Sequence, residues 1–490
     1  MPATADDQPP LDVAVIGTGF SGLGMGVHLL KAGGRRFAIF EKADAVGGTW
    51  RENTYPGCAC DVPSHLYSFS FAPFPGWSRM YAPQPEIRAY LETVATDFGL
   101  RPHIRFGHRV TALTWDEAAR LWTVAFAGQP PVRARAVVAG MGGLHVPHVP
   151  EIAGLDTFGG IAFHSAQWRH DVDLTAKRVA VIGTGASAIQ FVPQIVKTAG
   201  QVDVYQRTPP WILPKLDRTI GETEQTLYRM LPLAQWLYRG AIYARNERLA
   251  LGFLDPKLMK IAETMARDHL AAQAPDPVLR AKLTPDYTVG CKRVLIANDY
   301  YPALQQPNAA LITDAITRIT PTGVVTADGR ERPADVLIHG TGFLAMDPHG
   351  AVSVTGRGGR TLAEAWADGT MPSHLGITVA GFPNYFLLMG PNTGLGHNSM
   401  VFMIESQIAF VMDALRLLDR EGRAALDVTP AAQARFQDWL TQKLTTTVWA
   451  SGCRSWYLNA QGRNVSIWPD FTFRYRARTK RVDRADYELM

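Results

Sequence analysis

Val13-Ala14-Val15-Ile16-Gly17-Thr18-Gly19 and Val179-Ala180-Val181-Ile182-Gly183-Thr184-Gly185 are the same seven residues, VAVIGTG, met twice in a 490-residue chain. Each copy is a short β-branched apolar run that ends in a glycine turn. Helical spacing follows both: Leu23, Val27 and Leu30 share one face before Gly33-Gly34, and Ile189, Val192 and Val196 share another before Gly200. A second strand is predicted after each helix, over 37–41 and over 202–206. Two strand–turn–helix–strand units predict an α/β chain with two Rossmann-like dinucleotide-binding domains.

Between the two units, residues 110–139 alternate in the manner of a small antiparallel sheet. From about 211 to 290 the spacing is helical, with Trp211, Leu227, Leu231, Trp236 and Tyr238 among polar residues, and predicts a helical insertion on the second unit. Strand-like segments return over 309–319 and 334–339, and a further one over 384–389 runs into Gly390-Pro391-Asn392 and a long helix. Late strands of this kind rejoin the first fold. The expected division is 1–145 for the first part of one nucleotide domain, 146–344 for the inserted second domain, and 345–490 for the remainder of the first.

The composition sets bounds. Hydrophobic residues make up 47% and charged residues 19%, a globular balance. A net charge of +5, without a long basic run, argues against nucleic-acid binding and fits anionic ligands or plain solubility. Cys58, Cys60, Cys291 and Cys453 lack metal-site spacing, so no metal is expected and the cysteines read as free thiols in a reducing compartment. The polar start through Pro10 has no secretory pattern, and the apolar run 399–418 is interrupted by Glu405, Gln407, Asp413 and Arg416. It reads as a buried helix, not a membrane span, and a cytoplasmic protein is expected.

The glycine turns carry the first chemistry. In Gly17-x-Gly19-x-x-Gly22 the first glycine permits the turn, the second lets the backbone approach a pyrophosphate, and the third allows helix–strand packing. The helix N-terminus then stabilises phosphate charge. Glu41, 24 residues after Gly17, is placed for a ribose hydroxyl. The second turn has Gly183 and Gly185 with Ala188 in the third place, and Arg207 stands 24 residues after Gly183. A carboxylate repels a 2′-phosphate, whereas a guanidinium binds it bidentately. The first site therefore suits FAD and the second NADPH.

Three further segments point to one family. Gly47-Gly48-Thr49-Trp50 precedes Tyr55-Pro56-Gly57 and Asp61; Phe158-x-Gly160-x-x-x-His164-x-x-x-Trp168 precedes the second glycine turn; Lys292-Arg293 and Ser455-Trp456-Tyr457 lie further on. On these segments the chain resembles the type I Baeyer–Villiger monooxygenases from the first glycine turn to the tail. The terminal Trp168 separates that fingerprint from related N- and S-oxygenating flavin monooxygenases. Arg169, His339 and the Gly140-Met141-Gly142-Gly143 stretch depart from the family pattern, at positions that bear on linkers more than on chemistry.

The resemblance implies an NADPH- and oxygen-dependent conversion of ketones to esters or lactones through a flavin peroxide, with sulfoxidation as a second activity. It implies that Arg293 stabilises anionic charge and that Asp61 positions it. It also implies cofactor contacts from Thr49, Trp50, Asp61, Tyr67, Val110, Thr208, Lys292, Asn392 and Trp456. Asn392 is expected at the start of the long helix, which would aim a helix N-terminus at the flavin ring. Other readings stay open: Trp50 and Trp168 as core aromatics, Asp61 as a turn cap, Arg293 as the partner of Asp299, and His164 and His397 as structural histidines. The rival functions are an N- or S-hydroxylating flavin monooxygenase and a non-oxygenating NADPH-dependent flavin reductase or oxidase. Ketone and oxygen are the expected partners, with no protein partner evident.

Overall fold

The computed structural model describes residues 9–344 and 352–490. The first eight residues of the polar start, and the first seven of the predicted third segment, lie outside the described residues.

Two sheets organise the chain, the first mixed and the second wholly parallel. In the first, Leu11–Ile16 lies between Phe37–Phe40 and Val132–Ala139, parallel to both. Val110–Asp116 and Leu121–Phe126 extend it antiparallel through the start of Val132–Ala139. The predicted alternation over 110–139 is therefore not a separate sheet; its last strand is a central strand of the nucleotide fold. Tyr385–Leu387 pairs with the far end of that same strand, and Ser353–Thr355 with Val110–Asp116, so the late segments do rejoin the first sheet. The second sheet is wholly parallel, in the order Ala309–Ile312, Gln201–Tyr205, Arg178–Ile182, Val336–His339, Ile161–His164.

The repeated sequence repeats its burial. Val13 and Val15 enter one core and Ala14 and Ile16 another, as alternation across a pleat requires. Val179 and Val181, against Ala180 and Ile182, do the same. Strands covered on both faces explain the unbroken apolar run VAVI. The helices Phe20–Ala32 and Ala188–Ile195 follow the two turns, the first stopping at Gly33.

The insertion holds four helices, Glu222–Met230, Pro232–Leu254, Met259–Gln273 and Pro277–Leu283. A short parallel pair, Ile212–Leu213 with Leu295–Ile296, closes its two ends together. Buried Glu247 fixes it to later segments, accepting from Asn398 Nδ2 at 2.6 Å and from Thr472 N and Oγ1 at 2.5 and 2.8 Å. His397, which the sequence left without a partner, lies 3.6 Å from Glu247 and against the Phe253 ring.

Two expectations are corrected. Cys291 and Cys453 form a disulfide, their Cα atoms 6.1 Å apart, and only Cys58 and Cys60 are free. A pairing across 162 residues leaves no sequence signature, and cysteine usage no longer argues for a reducing compartment. Asn392 does not begin a helix: the long helix is Met400–Arg420, capped by Ser399. Asn392 instead takes a left-handed conformation, φ 55°, and its amide donates to the Asn464 and Ile467 carbonyls at 2.9 and 3.3 Å. The apolar stretch ahead of Arg420 is a buried helix as read, and no helix among the described residues is long and apolar enough to cross a membrane.

Candidate active site

Both glycine turns meet their sheets in the same way. Gly17 and Gly183 have φ of +94° and +105°, and a Cβ on either would stand 2.7 or 2.5 Å from the carbonyl oxygen of Gly140 or Gly340. Each carbonyl ends the strand on the far side of the turn, so both turns sit where the strand order reverses, which is where open α/β sheets bind ligands. Gly22 packs against Gly17, where a Cβ would fall 1.8 Å from its carbonyl oxygen, so no side chain fits. Gly19 faces Gly48, leaving a cradle of bare backbone beside Thr49 and Trp50. Neither following helix has a side-chain cap, so no capping side chain competes with an anion at its N-terminus.

Glu41 is buried at the end of its strand. One oxygen accepts from Thr18 N and Oγ1 at 3.0 and 2.6 Å; the other accepts from Ala43 N at 3.0 Å and lies 3.2 Å from Arg51. Arg51 escaped the sequence reading, since nothing in its spacing marks it. A carboxylate retains acceptor sites beyond these bonds, so a ribose hydroxyl is still accommodated. Val110 begins its strand two residues after His108, whose N–H donates to the Glu41 carbonyl at 2.9 Å.

At the second turn, Arg207 is exposed and has no ion pair among the described residues. Thr208 is tied to the turn, its carbonyl accepting from Thr184 Oγ1 at 3.4 Å. Lys292 lies over the Tyr287 ring, and burial, then the nearby Arg207 charge, push its ammonium below the usual lysine range. Asp286 offsets part of that charge, and the two adjacent cations still outnumber it, which suits an anion such as a 2′-phosphate. The donor set at both turns thus fits the dinucleotides read from the sequence.

Arg293 pairs with Asp61, 232 residues away, and not with Asp299. About a third of each side chain is exposed. Enclosure pushes the Asp61 carboxyl up, but the Arg293 charge and hydrogen bond outweigh it and hold the carboxyl below the usual range; Lys215 adds a second cation. Asp61 in turn raises Arg293, which stays a permanent cation. The buried Tyr457 phenol and Cys60 thiol complete the surroundings. Tyr457, Cys60 and Lys215 were missed; Tyr457 adjoins Trp456 in the same motif, which was the available signal. Trp50 Nε1 donates to Tyr67 OH at 3.2 Å. Trp456 is itself exposed, three residues beyond the cysteine bridged to Cys291, and so shares a tether with Lys292 and Arg293.

The fingerprint segment joins the two folds. Trp168 sits between the rings of Phe163 and Phe191, centroids 5.2 and 5.3 Å away, which makes it a packing aromatic. His170 bonds Thr54 at 2.8 Å, and Tyr55 donates to Gln190 at 3.0 Å. Gly57, at φ +79°, presses on the same helix, where a Cβ would stand 2.6 Å from the Gln190 carbonyl oxygen. His164 is buried in strand register with His339. Its Nδ1 accepts from Ala166 N at 3.1 Å, a structural role.

The profile of the flavin-binding monooxygenase-like family matches residues 11–229. A Baeyer–Villiger monooxygenase of Pseudomonas aeruginosa is 53% identical over 97% of this chain and 91% of its own length. Among solved structures, an oxidized steroid monooxygenase bound to NADP is 32% identical, covering 98% of this chain and 100% of its own, with a TM-score of 0.87. The OTEMO complex with FAD and NADP is 28% identical, covering 99% and 100%, with a TM-score of 0.89. Two glycine-turn cradles, a half-buried Arg–Asp pair and a relative alike along nearly its whole length lead to one conclusion: this chain belongs to the Baeyer–Villiger monooxygenase family.

Proposed function

We propose that this protein catalyses the NADPH- and oxygen-dependent oxidation of ketones to esters or lactones, with FAD as its bound cofactor. On this reading Gly17, Gly19, Gly22, Glu41, Thr49, Trp50, Tyr67, Val110 and Asn392 hold FAD. Gly183, Gly185, Ala188, Arg207, Thr208, Lys292 and Trp456 hold NADPH. Bound flavin supplies electron transfer from NADPH and activation of oxygen. The chain orients the reactants and supplies fixed charge. Arg293 holds the negative charge that develops on the ketone's carbonyl oxygen, and Asp61 keeps the guanidinium aimed and protonated. The Arg293–Asp61 pair carries the reading, because two nucleotide cradles alone would serve a reductase equally well.

Sheet membership supports a division into 1–145, 146–344 and 345–490, with the second nucleotide domain inserted into the first. We place the protein in the cytoplasm, where NADPH is regenerated. The test is product identification: purified holoenzyme with NADPH, labelled oxygen gas and a panel of cyclic, linear and aryl ketones. Esters or lactones carrying one labelled oxygen atom are expected. Only sulfoxides or N-oxides from thioether and amine controls would move it to the hydroxylating group, and hydrogen peroxide alone would make it a reductase or oxidase.

A further inference from the structure

The first corner of the helical insertion leaves large apolar side chains in water. Leu227, Met230, Leu231, Leu233, Trp236 and Leu237 fall within eleven residues and are all exposed, Met230 to 75%, Leu233 to 69% and Trp236 to 63%. Single exposed apolar residues are ordinary; six around one helix corner mark an interaction surface. The pattern runs on along Pro232–Leu254. Leu233, Leu237, Gly240, Ala244 and Leu251 follow helical spacing on one stripe, and every one of them faces solvent. The inward side of the same helix is engaged: Gln235 donates to the Phe74 carbonyl at 2.8 Å, Tyr243 stacks on Phe402, and Glu247 takes the buried bonds described above. The next helix repeats the motif, with Leu258, Ile261 and Met265 exposed beside Lys257 and Lys260.

The charge on this face is mostly positive. From Leu227 to Met265 the exposed ionic residues are Arg229, Arg248, Lys257 and Lys260 against Asp255, while Glu263 is paired with Arg267. A twofold interface buries the same patch on both copies and so brings two mostly positive faces together. An anionic bilayer surface meets them with opposite charge, and its headgroup boundary receives Leu, Met and Trp side chains together. We propose that this face, Leu227 to Leu251 with the Leu258–Met265 stripe beyond it, docks the protein peripherally on an anionic lipid surface. No membrane-spanning helix is needed, and none is present among the described residues. The docking stands independently of the catalytic reading. Should that reading hold, the bilayer is also where apolar ketones collect.

The test uses purified holoenzyme and sonicated vesicles, either phosphatidylcholine alone or with a phosphatidylglycerol fraction. Co-sedimentation should be tighter on the anionic vesicles and should weaken as salt is raised, with a blue shift of tryptophan emission on binding. The triple variant L233Q/W236Q/L237Q alters only exposed side chains and should keep the native melting temperature. Its vesicle affinity should fall by about a hundredfold or more. The variant R248Q/K257Q/K260Q should lose the preference for anionic vesicles. Three results would overturn the proposal: no sedimentation with either vesicle, binding that the triple variant leaves unchanged, or a dimer by equilibrium sedimentation that the triple variant dissociates, which would make a second copy the occupant.

Discussion

At the scale of single residues, the role proposed for the Arg293–Asp61 pair predicts that electron delivery and oxygen insertion can be separated. Hydride transfer needs two stacked rings, whereas oxygenation needs a cation where negative charge builds. Arg293→Ala should retain FAD and stay within a few-fold of normal in flavin reduction by NADPH. Its ester formation should fall by about 10²–10³, with the electrons emerging as hydrogen peroxide. Stopped-flow absorbance and product chromatography read the two steps separately; a block at reduction would assign Arg293 to nucleotide binding beside Lys292. Because Asp61 is bonded to Arg293, the proposed positioning role predicts that a double-mutant cycle of Asp61→Ala and Arg293→Ala on ester formation shows coupling of about 1–3 kcal/mol. Additive losses would dissolve the partnership. Arg207 stands exposed beside Lys292, with no ion pair of its own among the described residues. Arg207→Ala should raise KM for NADPH by about ten- to hundredfold and leave KM for NADH unmoved; equal losses with both coenzymes would give it a role in the fold instead.

At the scale of elements, the Cys291–Cys453 bridge ties the segment carrying Lys292 and Arg293 to the segment carrying Trp456 and Tyr457. Closing a loop across 162 residues restricts the unfolded chain heavily. Chain entropy alone would give about 5 kcal/mol, and bridges commonly deliver about 2–4. Reducing the oxidised protein with a dithiol should lower its unfolding free energy by about 2–4 kcal/mol. Cys453→Ser should begin at that lower value and ignore the dithiol. A wild-type protein equally indifferent to dithiol would show that the two thiols are not bridged in solution. Elements of this kind were unequally legible. The glycine turns, their helices and the flanking strands follow from local period and turn chemistry. The bridge, the position of Asn392 and the Glu247 anchor depend on partners far along the chain.

For the molecule as a whole, pH acts through buried groups at the joints. His164 and His65 are both buried, and desolvation holds each down to about 4. The unfolded chain protonates its histidines near pH 6.5, so between about pH 6.5 and 4 it binds more protons than the native state. Stability should therefore be complete above that window and fall as pH drops through it. Asp427 works the other way: burial raises it to about 6, so its contribution is fullest at low pH, declines as pH rises toward 6, and partly offsets the histidines. His164 Nδ1 accepts the Ala166 N–H, a bond its protonation abolishes. His164→Asn should shrink the stability lost between pH 7 and pH 5 by about 1–2 kcal/mol, measured by urea unfolding at the two pH values. An undiminished loss would move the acid sensitivity to the other histidines that burial holds down, His65, His145, His339 and His374.

What the sequence by itself determined is whatever depends on neighbours within a few tens of residues. The repeated VAVIGTG announced two nucleotide folds because a buried parallel strand, a glycine turn and a helix are each local in their demands. Glu41 and Arg207 could be read as distinguishing the two sites because the spacing from turn to second strand is fixed by the unit itself. Tertiary structure alone decided which distant groups meet. It joined Asp61 to Arg293 across 232 residues, placed Tyr457 and Lys215 beside them, and bridged Cys291 to Cys453. It also turned one side of an ordinary-looking helix, Pro232–Leu254, out to solvent. A period of 3.6 shows that a helix has an apolar stripe; only packing shows whether that stripe found a core.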